Sequence, residues 1–262
     1  MEISAEQRQA DRLRLARAVL IATTALLFLW WVRAVEWVLD RPLSMLGVIP
    51  RDWGGLVGVL LAPLVHGSFE HLVANSLGVF LLTALAVYGY PRALAIALPS
   101  IWIGSGLGVW LFARDSVHLG ASGLTHGLMF FLFALGLLRR DRLAIAVALI
   151  AFFLFGGMLM TIFPREPGVS WEYHLFGALS GSFAALLTRR LDPPPPEPRY
   201  SWDLEPEDEA VEASEAGDAG ELEPPRPAEV PVLWQRPEPP RGVIVPFPRR
   251  NGDARDPGEG RP

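Results

Sequence analysis

The stretch Gly120-Ala121-Ser122-Gly123 sets a serine among small residues where a polar loop gives way to an apolar run over 124–138. Such glycines let a backbone or a substrate approach the hydroxyl closely and tolerate the tight turn that presents a nucleophile. A helix beginning at Ser122 also turns unpaired N–H groups and its positive dipole end toward any oxygen beside the hydroxyl. That arrangement suits attack on a carbonyl, whereas small-residue packing explains the same string with no chemistry at all. The polar partners are His66, His71 and Asn75 before the serine, His126 just after it and His174 far downstream. His71 and Asn75 are four apart and share a helix face; His66 lies in the loop before them. His126 sits one turn after Ser122, and helical side chains lean toward the N-terminus, so it leans over the serine. It either packs beside a catalytic group or serves as a base itself. His118, in the loop before the serine, is expected to be solvated.

The absence of cysteine excludes a disulfide framework and any thiolate nucleophile or metal site. Two or three histidines can hold zinc, but there is no His-Glu-x-x-His pair and few carboxylates fall near them, so no metal is expected. Neither a phosphate-binding glycine loop nor a basic patch occurs, so no nucleotide, nucleic acid or other cofactor is expected.

These residues need a scaffold, and the scaffold is membrane-bound. Composition divides the chain in two. Residues 1–191 carry 15 Arg against 11 acids and residues 192–262 carry 8 against 17, for a net charge of −5. All 23 basic residues are arginine. Residues 1–17 are arginine-rich, and the apolar run from Ala18 makes a first span, with Arg33 and Glu36 three apart and able to pair on one face. Residues 53–65 are apolar but about 13 long, short of the roughly 20 a span needs. Their glycines and Pro63 predict a membrane-dipping loop. Spans follow at about 71–89, 92–112, 122–138, 143–163 and 172–188, six in all. Ten arginines (the N-terminal four, 92, 139, 140, 142, 189 and 190) fall on one side, which places both termini in the cytoplasm by the positive-inside rule. The proline- and acid-rich residues 191–262 cannot bury enough surface to offset ordering entropy and are expected to be a disordered tail.

Helix length then sets depth. From Ser122 to Leu138 a helix rises about 25 Å at roughly 1.5 Å per residue. With its inner end held by Arg139, Arg140 and Arg142, Ser122 falls several ångströms below the outer surface. His174 lies about 15 residues from Arg189 and reaches a similar depth. Gly177 and Gly181 are four apart, a face on which another helix can pack closely. If that seam meets the serine helix, the imidazole comes beside the hydroxyl. Polar side chains at such depth are costly and face a protein interior or a wet cavity, although as single residues they equally serve as hydrogen-bonding glue between helices.

In this order, His66-x4-His71-x3-Asn75, Gly120-Ala121-Ser122-Gly123 with Gly127, and His174-x2-Gly177-x3-Gly181 resemble the motifs of the rhomboid family of intramembrane serine proteases. The resemblance covers about 18–190. It implies an all-α polytopic membrane protein, a six-helix bundle with a membrane-dipping first loop, in a bacterial inner membrane with cytoplasmic termini. It further implies Ser122 as nucleophile, His174 as general base, and His71, Asn75 and the Ser122 N–H as receivers of the oxyanion. His66, His126, Gly120, Gly123, Gly177 and Gly181 would support them. Substrates would be single-pass membrane proteins cut near the outer boundary. Two departures stand out. His126 occupies a place where the family often has Tyr or Phe, and a Trp-Arg pair common in the first loop is missing, with Val57-Gly58 near its place. The alternatives are a catalytically silent rhomboid-like protein that binds membrane clients, and a dedicated processor of C-terminal membrane anchors. A transporter would be expected to show an inverted repeat, and none is visible. Oligomeric state has no signature in the sequence.

Overall fold

A computed structural model describes residues 5–165 and 168–193. The described chain is helical: α1 (Ala5–Val38), α2 (Leu56–Leu61), α3 (Phe69–Gly89), α4 (Pro91–Phe112), α5 (Ser122–Arg139), α6 (Arg142–Phe155) and α7 (Trp171–Thr188). α6 continues as a 3-10 segment, Gly156–Ile162. Among the described residues the sole β-type pairing is an isolated antiparallel bridge between Val48 and His118. Five helices are long and apolar enough to cross a membrane: α1, α3, α4, α5 and α6 with its 3-10 extension. α7, which carries Glu172 and His174, is not among them. Of the acidic and proline-rich tail expected over 191–262, residues 194–262 lie outside the described residues.

α5 is the central helix, with Leu128, Phe131, Leu132 and Leu135 at the heart of the core. Its most extensive packing is with α7, and glycine makes that packing possible. A side chain at Gly177 would run into the backbone of Gly123, and one at Gly181 into the backbone of Gly127. Helices approach this closely only where no Cβ stands between them. α4 packs on the other side of α7, with Gly108 against the Phe176 ring.

α1 lies at the periphery against α3, where Leu29 meets Leu72 and Val79. The Trp30 indole donates to the Ser76 hydroxyl at 3.1 Å. Arg33 and Glu36 pair at 2.7 Å, and the second carboxylate oxygen of Glu36 accepts from the Leu43 N–H at 2.8 Å, which ties the end of α1 to the first loop. One 34-residue helix, α1, runs from Ala5 through the arginine-rich start and on to Val38.

The first loop, 40–68, is folded back on α4 and on the loop before α5. Trp102 donates to the Leu60 carbonyl at 3.0 Å and Trp110 to that of Asp52 at 2.7 Å. Arg51 donates to the Ala113 carbonyl at 2.8 Å and pairs with Asp115. These bonds anchor a loop that lacks the expected Trp-Arg pair. At Gly58 a side chain would strike the Gly47 backbone, so the loop closes on itself there.

At the opposite end of the bundle, Arg139 pairs with Asp141 at 2.9 Å and donates to the Leu191 carbonyl at 2.8 Å. Asp192 accepts from the Arg92 and Ala93 N–H groups at 3.1 and 2.8 Å, satisfying donors of the first turn of α4. The ends of α5 and α7 and the start of α4 therefore meet at one arginine-rich end.

Candidate active site

Two loops create the site. Val48 and His118 exchange backbone hydrogen bonds at 2.8 and 3.0 Å, the Gly120 N–H donates to the Ala62 carbonyl at 2.9 Å, and the Ala121 N–H donates to His66 Nε2 at 3.2 Å. The first loop thus holds the segment that delivers Ser122 at three points, His118, Gly120 and Ala121. Because His66 Nε2 accepts, the ring carries its proton on Nδ1. Burial, and next the neighbouring His71, push the pKa of His66 down to about 4, so the acceptor stays neutral at physiological pH.

Gly120 has φ of +107°, a conformation glycine adopts without strain, and a side chain there would collide with the His71 imidazole. His71 is thereby packed on the turn that precedes Ser122. α3 starts at the Ser68 cap, whose hydroxyl accepts from the His71 N–H at 3.1 Å. One turn on, Asn75 is buried and spends one amide N–H on the His71 carbonyl at 3.0 Å. Its second N–H remains available.

His118 departs from expectation. It is 1% exposed rather than solvated, bonded through Nδ1 to the Ser170 hydroxyl at 2.5 Å and through Nε2 to the Arg114 carbonyl at 3.1 Å. The first loop covers it, and burial lowers its pKa. It fastens the serine loop to the start of α7. The nearby acids are committed elsewhere: Asp115 to Arg51, and Glu172 to Arg114 at 3.5 Å.

Ser122 opens α5 and is buried, as is His174 on α7. Both line a cavity of about 740 Å³ together with His71, Asn75, His126 and Thr161. Among the described residues no hydrogen bond joins the Ser122 hydroxyl to the imidazole. His174 Nδ1 bonds the Thr161 carbonyl at 3.0 Å. A carbonyl only accepts, so Nδ1 carries the proton and Nε2 of the neutral ring keeps its lone pair. His126 stacks on this ring, centroids 3.9 Å apart at 8°. Its Nδ1 bonds the Ser122 carbonyl at 2.7 Å and its Nε2 the Thr161 hydroxyl at 2.8 Å. Both of its nitrogens are therefore engaged. Among the described residues no cluster of three or more His, Asp or Glu is placed to hold a metal.

Thr161 had no signal in the sequence. It sits in an apolar string, and its contribution to His174 is a backbone carbonyl, which no side-chain pattern reveals.

The Rhomboid domain family profile matches residues 54–191, more than half the chain. The chain belongs to the rhomboid family. Relatives of this rhomboid include the Mycobacterium tuberculosis protein Rv1337, 36% identical in an alignment 183 residues long that covers 65% of this chain and 76% of the relative. A Mycobacterium leprae protein, ML1171, is 32% identical over 63% of this chain and 68% of its own length. A Bacillus subtilis protein named "Putative rhomboid protease YdcA" is 29% identical over 54% of this chain and 70% of its own. No solved structure matches the chain.

Proposed function

We propose that this rhomboid is an intramembrane serine endopeptidase in which Ser122 is the nucleophile and His174 the general base. The observation that carries the reading is the state of His174. Its Nδ1 is committed to a carbonyl, its Nε2 lone pair is free, and it shares one cavity with Ser122. A hydroxyl is a weak nucleophile until a base takes its proton. Free enzymes often hold such pairs apart until substrate tightens them.

The Ser122 oxygen attacks the scissile carbonyl carbon while its proton passes to His174 Nε2. The carbonyl oxygen becomes an oxyanion, received by the Ser122 N–H, the free Asn75 N–H and His71. The tetrahedral species collapses, the C–N bond breaks, and the imidazolium returns the proton to the leaving amine. Water then attacks the acyl-enzyme by the same route in reverse. Donors fixed where the charge develops supply much of the rate.

Substrates are single-pass membrane proteins cut near the outer boundary. A helix has all its backbone bonds closed, so the cut segment must unwind first, which favours weak helix formers around it. The membrane domain covers 18–190 with α7 as a sixth span, and both 1–17 and the tail 191–262 are cytoplasmic. α1 supports this layout: 34 residues rise about 51 Å, and a hydrocarbon core is about 30 Å thick, so its first turns must project. The setting is a bacterial inner membrane.

The test is cleavage of a model transmembrane substrate in liposomes. Ser122→Ala and His174→Ala should each abolish it, and chelators should leave it unchanged. Cleavage that survives in Ser122→Ala removes the mechanism. Client binding without cleavage by the unaltered protein makes it a silent binding member of the family.

A further inference from the structure

A serine–histidine pair without a carboxylate still needs something to fix the imidazole's tautomer and plane. In this chain Asp115 pairs with Arg51 and Glu172 with Arg114, and the hydrogen-bond partner of His174 among the described residues is a backbone carbonyl, not a carboxylate. One residue touches the ring assembly twice. The Thr161 carbonyl accepts from His174 Nδ1 at 3.0 Å, and the Thr161 hydroxyl lies 2.8 Å from Nε2 of His126, the ring stacked on His174.

Proton accounting defines the second contact. His126 Nδ1 faces a carbonyl, that of Ser122, and must donate to it. In the neutral ring Nε2 is then the acceptor, so the Thr161 hydroxyl donates. That hydroxyl is also within donating distance of the Met158 carbonyl, at 2.9 Å, but it has one proton, and giving it to His126 is what keeps two lone pairs from facing each other across 2.8 Å.

The surrounding segment makes this bond matter. Thr161 lies in the 3-10 stretch Gly156–Ile162, which has no buried residue. Around Gly157 no other atom would lie within 4 Å of an added Cβ. Apart from the part-buried Met158, which packs against the core, little apolar burial holds the carbonyl beneath His174, and the bond from the Thr161 side chain to the buried His126 is a direct tie.

We propose that Thr161 is the positioning residue for His174, its hydroxyl clamping the segment to His126 so that its carbonyl holds the imidazole with Nε2 facing Ser122. This rests on the reading of Ser122 and His174 as nucleophile and base.

The test uses the full chain in liposomes with Thr161→Val, an isostere lacking the hydroxyl, and Thr161→Ser, which restores it. Three quantities are read: substrate cleavage, the rate of covalent labelling of Ser122 by a fluorophosphonate, and the ¹⁵N spectrum of histidine-labelled protein, with His174 assigned from His174→Ala. Thr161→Val should lower kcat and the labelling rate about tenfold to a hundredfold with KM little changed, since a slight misplacement of a reacting group costs that much. Thr161→Ser should recover most of it. His174 should change from a single Nδ1-protonated form to a mixture of tautomers. His126→Phe combined with Thr161→Val should do no more harm than the worse single variant, because both remove one interaction. Leu159→Ala, on the same segment but away from the clamp, should change none of these. Unchanged labelling and an unchanged His174 spectrum in Thr161→Val would overturn the proposal. A Leu159→Ala defect equal to that of Thr161→Val would overturn it as well, by reducing the residue to part of a loosened segment. If the unaltered protein neither cleaves nor labels, the protease reading fails, and the spectrum alone still decides whether Thr161 fixes the ring.

Discussion

The imidazoles of His126 and His174 lie face to face, centroids 3.9 Å apart and planes within 8°. One ring comes from α5, one turn past Ser122, and the other from α7. The stack joins the helix carrying the proposed nucleophile to the helix carrying the proposed base. It is possible because α5 and α7 touch through glycine at Gly123 and Gly177. A wider helix separation would pull the rings apart before any side-chain rearrangement could compensate.

His126 spends Nδ1 on the Ser122 carbonyl and Nε2 on the Thr161 hydroxyl, so it has no lone pair for the Ser122 proton. Its contribution is a flat surface and a hydrogen-bonded tether. His126→Phe should keep the surface and lose the tether, lowering cleavage about tenfold. His126→Ala loses both and should fall about a hundredfold. Kinetics of the two variants beside His174→Ala check this; substantial cleavage in His174→Ala with none in His126→Phe would make His126 the base.

Asn75 holds one amide N–H on the His71 carbonyl and keeps the other for the cavity. Loss of one oxyanion donor typically costs about 10²–10³ in kcat. Asn75→Ala should fall by that order with KM nearly unchanged, whereas Asn75→Asp should be no better, because it offers an acceptor where a donor is required. A kcat within about twofold of the unaltered protein would remove Asn75 from the oxyanion site.

Much of this arrangement is legible in the sequence because it follows from periodicity and from glycine. The Arg33–Glu36 pair, the starts of α3, α4 and α5 and the contact face at Gly177 and Gly181 all depend on spacing within a single helix. What spacing does not show is contact between distant loops. His118 reads as an ordinary loop residue because its cover, the bridge to Val48, comes from a segment 70 positions earlier. The anchoring of the first loop by Trp102 and Trp110 is hidden for the same reason. Thr161 is the extreme case, since the atom that meets His174 belongs to the backbone.

The glycine seam and the 3-10 segment give opposite expectations for the same substitution. A methyl at Gly177 would meet the backbone of Gly123, which cannot yield without moving a helix. Overpacking of this kind costs about 1–3 kcal/mol, and here it also displaces His174 from Ser122. Gly177→Ala should lower both the melting temperature and cleavage. Gly157→Ala, with open space around it, should leave the melting temperature unchanged or slightly raised. Thermal melts of the two variants in one detergent make the comparison, and equal losses would contradict the seam.

Acid sensitivity should come from the loops as well as from catalysis. His66 accepts from the Ala121 N–H and is neutral in the folded protein, its pKa pushed down by burial from 6.5 to about 4. His118 is shifted in the same direction. A histidine whose folded pKa is depressed contributes stability that is fully present above its unfolded pKa of about 6.5. As pH falls below that value the unfolded chain takes up a proton that the folded protein refuses, so stability declines until His66 protonates near pH 4. The melting temperature of the full chain should therefore be flat above about pH 7 and drop steadily from there toward pH 5. His66→Gln retains an acceptor for the Ala121 N–H without titrating, and it should flatten part of that slope. An identical slope in His66→Gln would mean that His66 is not the group being protonated on unfolding. If instead the slope vanishes and cleavage at neutral pH survives, the histidine serves the loop and not the chemistry, which is the role its bond to the residue before Ser122 assigns it.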